Sequence, residues 1–452
     1  MRSSRQPKDM AFSTVDQVDV FVVGMGFVGV TLAVVLAEAG FRVFGVEQNH
    51  ETLGLLRAGR AHFTEKGLSD ALRNMVSSGN LEVLATLPDL ADAGRLAVYI
   101  ITVGTPLDGF GVPRLDLVER ATKEVSSHLN RDGALVVLRS TVQIGTTNEI
   151  VRPILERSGF EFYLAMCPER TIEGNALVEL KKLPQIIGGM DDTSREFARQ
   201  FFSTFAPSIV EVSSWEAAEL VKLASNTFRD VHFGFANEIS NVCKFWGLSS
   251  AEVIKAANKE YPRCQIARPG LVGGPCLEKD PHILMHSMGA DRSLLPITRS
   301  ARLVNENQAQ ASVYWFLRAV FDIDTSSAQT LLLAGVAFKG SPETDDTRGS
   351  MFFKVLDAVN ASGYSFSIRV FDPIISEETL NQLFDGVDIC SDWVQASANV
   401  SGIIICNDHK FFRDLSWDTL SRSMDPCGAV FDFWNNFDVG TIEGLGPRYF
   451  TL

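Results

Sequence analysis

An apolar run at residues 18–23 stands directly before a glycine-rich turn, and this pair constrains the fold more than any other feature of the chain. A continuous apolar strand is typical of a parallel sheet that is covered on both faces. The turn reads Gly24-Met25-Gly26-Phe27-Val28-Gly29. Residues 27–39 then have helical spacing, and a second strand is predicted at 42–46. This order of elements predicts a Rossmann-like unit.

Each glycine of the turn has its own task. Gly24 makes the tight turn, Gly26 lets the backbone approach a pyrophosphate, and Gly29 lets the helix pack on the strand. The first helical residues, Phe27 and Val28, offer free N–H groups to phosphate. At the end of the second strand, Glu47 would accept hydrogen bonds from a ribose 2′-OH and repel a 2′-phosphate. The pattern therefore predicts NAD, rather than NADP, as the cofactor.

Length and composition bound the class of protein. A chain of 452 residues with 46% apolar and 21% charged residues predicts two or three folded domains. The net charge of −14 disfavours nucleic acid and anionic membranes as partners. Seven cysteines without paired spacing fit free thiols in a reducing cytoplasm. Residues 18–40 are apolar enough to raise a membrane anchor as an alternative, but strand, turn and helix explain them better.

The alternation of elements predicts an α/β fold with two Rossmann-like doubly wound parallel sheets joined by a long central helix in a helical domain. Further strands are expected at 97–102, 134–138 and 162–165, then at 330–337, 367–371, 402–406 and 429–433. Between the two sets, a helix of some 30 residues runs from a capping box at Ser213–Glu216 to about Trp246. The predicted domains are 1–212 for NAD binding, 213–322 for a helical dimerisation domain with the cysteine loop, and 323–452 for a second nucleotide ligand.

A cysteine among glycines is the second informative motif. Cys276 follows Gly273 and Gly274, which allow a ligand to approach the backbone closely. Lys279 would stabilise negative charge on the sulfur, and Asp280 could accept a proton directly or through water. Cys276 is therefore a candidate nucleophile, while a buried structural cysteine remains the alternative.

Two further pairs have helical spacing. Lys222 and Asn226 are one turn apart on the long helix, where an ammonium and an amide suit a developing oxyanion, with a solvated helix face as the alternative. His282 and His286 have the spacing of zinc ligands, but no further ligand cluster is evident. We expect no metal.

The chain resembles a known family, the UDP-glucose/GDP-mannose dehydrogenases, over about residues 18–435. The motifs that carry the resemblance, in order, are Gly24-x-Gly26-x-x-Gly29, Val103-Gly104-Thr105-Pro106, Arg139-Ser140-Thr141, Pro168-Glu169, Glu219-Leu220-x-Lys222-x-x-x-Asn226, Gly273-Gly274-x-Cys276, Lys279-Asp280, and Phe338-Lys339 with Asp346-x-Arg348.

The resemblance implies that the C6 alcohol of a nucleotide sugar is oxidised to a carboxylate with two molecules of NAD. Cys276 would capture the aldehyde as a thiohemiacetal, and a second hydride transfer would make a thioester for hydrolysis. The implied site residues are, for catalysis, Cys276, Lys222, Asn226, Asp280, Glu173 and Thr141; for the cofactor, Gly24, Gly26, Phe27, Val28, Gly29, Glu47, Val103, Gly104, Thr105, Thr141, Lys279 and Arg348; and for the substrate, Glu169, Arg170, Lys222, Asn226, Arg263, Gly273 and Lys339.

Arg263 resembles an arginine that reaches the substrate from a neighbouring subunit, which implies a homo-oligomer, a dimer or a multiple of it. The substrate is a UDP-sugar by the same resemblance. Residues 226–231, 236–238 and 261–263 are similar to the branch that oxidises UDP-N-acetylmannosamine, whereas Lys279 and Glu173 are also similar to the UDP-glucose branch. UDP-N-acetylglucosamine is a third candidate. A one-step hydroxyacid dehydrogenase and a non-catalytic NAD-binding protein are the alternatives outside this chemistry.

Overall fold

The computed structural model describes residues 14–89, 95–321, 329–437 and 447–452. The strands in these ranges are β1 Val18–Val23, β2 Arg42–Val46, β3 Leu81–Leu84, β4 Leu96–Ile101, β5 Ala134–Leu138, β6 Phe162–Met166, β7 Gln185–Gly189, β8 Ile209–Glu211, β9 Gln329–Ala334, β10 Phe366–Phe371, β11 Asp388–Ile389, β12 Gly402–Ile405, β13 Ala429–Asp432 and β14 Arg448–Thr451.

The helices in the same ranges are α1 Phe27–Glu38, α2 His50–Arg57, α3 Leu68–Ser78, α4 Asp116–His128, α5 Arg152–Glu156, α6 Ala176–Glu179, α7 Asp192–Phe202, α8 Trp215–Trp246, α9 Ser250–Asn258, α10 Gly274–Leu277, α11 Asp280–His286, α12 Pro296–Phe321, α13 Phe352–Asn360, α14 Glu377–Leu383, α15 Trp393–Ser397, α16 Lys410–Asp414 and α17 Trp417–Ser423. A π-helical turn, Thr147–Val151, leads into α5. Short 3-10 turns cover Val15–Gln17 and Gly289–Leu294.

The chain divides into two compact units. The first contains Met1–Ser225 and His282–Arg292, and the second contains Asn226–Pro281 and Ser293–Leu452. The division falls inside α8, which continues from one unit into the other. Of the predicted domain boundaries, the one after residue 212 precedes α8, and the one after residue 322 lies outside the described residues. The three-domain scheme stays a prediction.

The first unit is built on one sheet. Its order is β3-β2-β1-β4-β5-β6-β7-β8 among the described residues. Neighbouring strands are parallel except for β6 and β7, which are antiparallel. The connection from β6 to β7 contains only the four-residue α6, whereas a parallel return usually needs a longer crossover helix. The strand order reverses between β1 and β4, where ligands bind in doubly wound sheets.

β1 shows why this sheet forms. All six of its residues are buried, and its side chains alternate between two cores. Val18, Val20 and Val22 pack in one core, while Phe21 and Val23 pack in the other. Since both faces are covered, the strand needs apolar residues at successive positions. The exception, Asp19, is 4% exposed and accepts a hydrogen bond from Arg95 Nε at 2.7 Å.

The second unit contains a fully parallel sheet with the order β11-β10-β9-β12-β13-β14 among the described residues. At its centre, residues 331–334 of β9 and all of β12 are apolar and buried. Helices α12 and α13 supply Phe316, Leu317 and Phe352 to the core on one face. The order reverses between β9 and β12, so the loops after these strands border the expected ligand crevice of this unit. The two parallel-dominated sheets confirm the predicted fold class.

The long helix is also confirmed. α8 spans 32 residues, and its cap is Ser214, whose Oγ accepts the N–H of Ala217 at 3.2 Å. The predicted capping box begins one residue earlier, at Ser213. Residues 18–40 fold as the expected strand, turn and helix. No helix in the described ranges is long and apolar enough to cross a membrane.

Candidate active site

The glycine turn of the first unit has the geometry that its sequence predicts. Gly24 has φ +97°, and a Cβ there would lie 2.9 Å from Val103 Cγ1. A Cβ on Gly29 would overlap the carbonyl oxygen of Gly24, so helix α1 can approach the turn only without a side chain at this position. A Cβ on Gly26 would meet nothing within 4 Å. The backbone of the turn therefore faces open space at Gly26, where a pyrophosphate would lie.

Glu47 lies beside this turn. Its carboxylate accepts the N–H of Met25 at 3.2 Å and that of Asn49 at 2.8 Å. These contacts fix the carboxylate at the carboxyl end of β2, next to the loop that follows β1. A carboxylate in this position can accept hydrogen bonds from a ribose diol and disfavours a 2′-phosphate. Together with the open backbone at Gly26, the residues present fit NAD.

The loops after β4 and β5 are tied to each other. Thr105 Oγ1 donates to the carbonyl of Thr141 at 2.5 Å, and Ser140 Oγ donates to the carbonyl of Val103 at 2.7 Å. A Cβ on Gly104 would meet nothing within 4 Å, so this loop also has open space beside its backbone. The structure thus brings the predicted cofactor residues of the β4 and β5 loops to one edge of the sheet.

Glu219 holds the loop that carries Thr141, and sequence reasoning assigned it no role. Its carboxylate accepts the N–H of Gly145 at 2.6 Å, the N–H of Thr147 at 2.9 Å and Thr147 Oγ1 at 2.6 Å. Burial raises the pKa of Glu219 to about 7, although these three hydrogen bonds oppose the rise. The signal that could have found it is the position of Glu219 one helical turn before Lys222.

The carboxylate of Glu169 is engaged within the protein. It forms a buried ion pair with Arg139, and its other oxygen accepts the N–H groups of Arg170 and Thr171 at 2.7 Å. Burial raises the pKa of Glu169, but Arg139, the Thr171 N–H and Lys222 together bring it below its usual value. The Arg170 guanidinium donates to the carbonyl of Pro184 at 2.6 Å. Substrate contact by these two residues stays a prediction.

Glu173 and Lys222 also belong to the first unit, and both are buried. In the second unit Asn226 is 8% exposed. The alternative of a solvated helix face for Lys222 and Asn226 is therefore wrong. Their proposed oxyanion role stays a prediction.

The loop around Cys276 lies in the second unit. Cys276 belongs to the short helix α10 and is exposed, so the alternative of a buried structural cysteine is wrong. Gly274 has φ +89°, and its backbone N–H donates to the carbonyl of Gly349 at 2.7 Å. A Cβ on Gly273 would overlap this same carbonyl. The two glycines therefore let the loop pack against the segment near Gly349.

Asp280 is the centre of a charged group next to this loop. It is fully buried, and its two oxygens accept Asn226 Nδ2 at 2.5 Å and Lys279 Nζ at 2.7 Å. The structure therefore brings Asn226, Lys279 and Asp280 together. Sequence reasoning assigned Asn226 to an oxyanion and Lys279 to the sulfur or the cofactor, without their shared contact with Asp280. Asn226 and Asp280 are 54 positions apart in the sequence, so their contact could not be read from local spacing.

Three predicted cationic residues lie elsewhere in the second unit. Lys339 follows β9, with its Nζ 5.3 Å from the centre of the Phe338 ring. Arg348 forms a two-point ion pair with Asp346, with distances of 2.9 and 2.5 Å. Arg263 is exposed and lies over the Tyr261 ring at 4.6 Å. Among the residues that the structure describes, no three His, Cys, Asp or Glu side chains form a potential metal site.

A doubly wound sheet with an open glycine turn at its switch point defines a dinucleotide-binding protein. Family comparison is more specific. The NAD-binding, central and UDP-binding domains of the UDP-glucose/GDP-mannose dehydrogenase family match residues 18–206, 216–307 and 332–439. The chain belongs to the UDP-glucose/GDP-mannose dehydrogenase family, as its motifs indicate. It is an NAD-dependent oxidoreductase of nucleotide sugars.

The chain is similar to individual enzymes of this family. The UDP-N-acetyl-D-mannosamine dehydrogenase of Pyrococcus horikoshii is 32% identical over 412 residues, covering 89% of this chain and 92% of the relative. The solved structure of the Pyrococcus horikoshii enzyme covers 96% of this chain and 99% of its own with a TM-score of 0.84 at 29% identity. The solved structure of a UDP-glucose dehydrogenase from Pyrobaculum islandicum has a TM-score of 0.83 at 28% identity. The match covers 98% of this chain and 99% of that enzyme's chain.

Proposed function

We propose that this chain oxidises the C6 alcohol of UDP-N-acetyl-D-mannosamine to the uronate, in a four-electron reaction that passes through a thiohemiacetal and a thioester on Cys276. The observation that carries the proposal is the exposed thiol in a glycine-lined loop, followed four residues later by the buried carboxylate of Asp280. The similarity to UDP-N-acetyl-D-mannosamine dehydrogenases supports the choice of sugar.

NAD accepts one hydride from the sugar carbon in each of the two oxidations. In the first, the alcohol loses a hydride and a proton and becomes an aldehyde. The Cys276 sulfur then adds to the aldehyde carbon, and the oxygen takes up a proton to complete the thiohemiacetal. Loss of a second hydride and that proton makes the thioester. Water adds to the thioester carbon and the thiol leaves, which releases the carboxylate.

Asp280 is suited to the last step. Its carboxylate is held by Asn226 and Lys279, so its position is fixed without further side-chain motion. A carboxylate oxygen can accept more than one hydrogen bond. We therefore assign Asp280 to orienting the hydrolytic water and receiving a proton from it. Lys222 and Asn226 are assigned to the oxyanion that forms at the sugar carbon, where a fixed cation and an amide donor would be most effective.

The remaining predicted roles also form part of the proposal. Thr141 and Glu173 would place a catalytic water, and Lys339 would contact the nucleotide sugar in the second unit. The UDP-binding family match over residues 332–439 includes Lys339, which lies in the loop after β9.

UDP-glucose is the competing substrate, because the similarity to the Pyrobaculum islandicum UDP-glucose dehydrogenase is nearly as extensive. UDP-N-acetylglucosamine is the third candidate. We expect NAD reduction with UDP-N-acetylmannosamine to have a kcat/KM at least about tenfold above the other two, the discrimination that a few pocket contacts supply. The measurement is NADH formation with all three sugars and with GDP-mannose. A higher kcat/KM with UDP-glucose would overturn the assignment of the sugar and leave the chemistry intact.

The mechanism is tested by replacing the thiol. Cys276→Ala should abolish uronate formation, since no thioester can form. Cys427→Ala, at the other exposed cysteine, is the matched control and should retain wild-type activity. The products are quantified by chromatography and NADH by absorbance. Uronate formation by the Cys276→Ala protein would refute the thioester route.

The homo-oligomer is a further part of the proposal. In the second unit, α8 exposes large apolar side chains, with Phe228 67%, Phe245 82% and Trp246 70% exposed. Exposed aromatic groups of this kind are typical of protein interfaces. A second copy of the chain would cover them and could bring Arg263 to the substrate of its neighbour.

A further inference from the structure

The backbone of the Cys276 loop is held at both ends by buried polar side chains. We propose that Asp230 and Asn237 of α8, with Arg302 and Asn305 of α12, form a network of positioning residues that fixes residues 270–277, and with them the Cys276 thiol. We refer to these four residues as the buried clamp. All of them belong to the second unit, and each is at most 2% exposed. The catalytic consequence of the clamp rests on the proposed function, whereas its structural consequence does not.

Asn237 holds the first end of the loop. Its Oδ1 accepts the N–H of Gly270 at 3.0 Å, and its Nδ2 donates to the carbonyl of Gly270 at 3.1 Å. One amide side chain thus pairs with both backbone groups of one residue. This arrangement fixes the position of Gly270 and also its orientation. An apolar side chain at position 237 would leave two buried backbone groups without their partner.

Arg302 holds the second end. Its Nη1 donates to the carbonyl of Leu277 at 3.1 Å. Leu277 is the last residue of α10 and directly follows Cys276, and a carbonyl at the end of a helix lacks a partner within the helix. The same Nη1 donates to Asp230 Oδ1 at 2.6 Å. The carboxylate therefore anchors the guanidinium that anchors the residue beside the thiol.

The two ends are connected through Asn305. Asn237 Nδ2 donates to Asn305 Oδ1 at 3.0 Å, and Asn305 Nδ2 donates to Asp230 Oδ1 and to the Asp230 carbonyl, both at 2.9 Å. The four side chains therefore form one continuous network. In a network with this connectivity, loss of one member weakens the others more than separate contacts would predict.

Close packing of α8 on α12 makes the network possible. A Cβ on Gly234 would lie 3.0 Å from both Cα and Cβ of Ala301. Small residues at this crossing let the two helix backbones approach, and Asp230 and Asn237 lie one turn before and about one turn after the crossing. Since residues three and four apart share a helix face, the polar groups are directed at α12.

A buried polar network is a costly way to stabilise two helices. Apolar side chains of similar volume would serve packing alone at least as well, because burial of a charged pair costs desolvation free energy. Burial raises the pKa of Asp230 even though Arg302 and Asn305 oppose the rise. What the network adds is specific hydrogen bonds to Gly270 and Leu277. This is what a loop needs when one of its atoms must be held within a fraction of an ångström.

The clamp is tested by hydrogen–deuterium exchange on the full-length protein without ligands. In Asn237→Ala, we expect the amides of residues 268–278 to exchange at least about tenfold faster, because loss of the paired hydrogen bonds lowers the free energy of local opening. Gln308→Ala is the matched control. Gln308 is equally buried on α12, but its side chain donates to Ser312 at 3.2 Å. The control should leave exchange in the loop unchanged.

Kinetics then separate positioning from general stability. Asn237→Ala should lower kcat at least about tenfold and change the KM for the nucleotide sugar less than about threefold, the signature of an interaction needed in the transition state. The ratio of NADH formed to sugar consumed should fall below that of the wild type, as aldehyde escapes a misplaced thiol. Gln308→Ala should alter none of these quantities.

Arg302→Lys provides a second variant if Asn237→Ala does not fold. Lysine retains the charge opposite Asp230, but its ammonium ends a flexible stem and lacks the rigid planar group that holds Nη1 between Asp230 and Leu277. Faster exchange should then be confined to the Leu277 end of the loop. Unchanged exchange in the loop of a folded variant, or equal acceleration in Gln308→Ala, would overturn the proposal. Because exchange needs no turnover, this result is independent of whether Cys276 forms a thioester.

Discussion

At the scale of single residues, Glu47 determines which dinucleotide can bind. Its carboxylate lies beside the glycine turn, held by the N–H groups of Met25 and Asn49. Glu47→Gln should raise the KM for NAD about tenfold or more, the value of a lost charge-assisted hydrogen bond. The substitution should also reduce the preference for NAD over NADP, because the charge that repels a 2′-phosphate is removed. Steady-state kinetics with both dinucleotides measure this, and Glu51→Gln, on the exposed side of α2, is the control.

A preference for NAD that is equally strong in Glu47→Gln and wild-type protein would show that another group recognises the ribose.

Glu219 makes stability depend on pH. Burial raises its pKa from 4.5 to about 7 in the folded protein. Between these values the unfolded chain releases the proton while the folded chain retains it, so the contribution of Glu219 to stability falls as pH rises. The full change is about 3 kcal/mol at about 1.4 kcal/mol per pKa unit. The difference in Tm between wild type and Glu219→Gln should therefore decrease from pH 5 to about pH 7.5. A constant difference would contradict this assignment.

Contacts between distant side chains could not be predicted from the sequence. The sequence predicts that Asp280 and Asn226 both act on the substrate, but it does not predict the hydrogen bond between them in the folded second unit. Likewise, Pro168-Glu169 was recognised as a motif, but nothing in the sequence pairs Glu169 with Arg139. Local patterns predict which chemical groups are present, whereas tertiary packing selects their partners.

At the scale of elements, the glycine turn offers a test with an internal control. Gly29→Ala would place a Cβ into the carbonyl of Gly24, so it should destabilise the first unit by about 3 kcal/mol or more, as strained overpacking does. Gly26→Ala meets no atom within 4 Å and should leave Tm unchanged. The same substitution should weaken NAD binding, since the methyl group occupies the space of the pyrophosphate. Thermal unfolding and NAD titration distinguish the two effects.

Equal losses of stability in Gly26→Ala and Gly29→Ala would refute this division of tasks between the glycines.

Elements with a strong apolar signal were predicted well. The bounds of β1, β2 and β5 agree with the predicted strands, and the end of α8 agrees with the predicted end of the long helix. The strands β3, β8, β11 and β14 were not predicted, because each has at most four residues and a charged residue interrupts its apolar pattern. The antiparallel β7 was also missed. Its direction depends on the path of the connection after β6, which composition does not reveal.

At the scale of the whole molecule, the proposed role of Arg263 across subunits makes a specific prediction. Cys276→Ala and Arg263→Ala should each be inactive or nearly so as homo-oligomers. After the two proteins are mixed and allowed to exchange subunits, a mixed dimer would contain one site with both residues intact. Activity should then recover to about a quarter of the wild-type value, as random pairing in a twofold dimer implies.

No recovery after verified subunit exchange would show that Arg263 acts within its own chain or not at all. Light scattering of the wild-type protein gives the oligomer number that this test requires.

Fold class, cofactor and family were all predictable from the sequence because each depends on ordered local motifs. The clamp around the Cys276 loop was not, although Ala236-Asn237-Glu238 is part of the family resemblance. Its residues lie on two helices, and Asn237 and Asn305 are 68 positions apart. Only the folded structure shows that these side chains contact the backbone groups of Gly270 and Leu277 at the two ends of one loop.

The covalent step is tested most directly by the mass of the intact protein, quenched in acid during the first turnover with NAD and UDP-N-acetylmannosamine. Formation of the thioester adds the mass of the nucleotide sugar to the protein, less about four hydrogens. Two of these hydrogens leave as hydrides to NAD, and two leave as protons from the alcohol and the thiol. We predict this adduct and its location on Cys276 by peptide fragmentation. Turnover to the uronate with the Cys276 thiol unmodified at every quench time would contradict the mechanism.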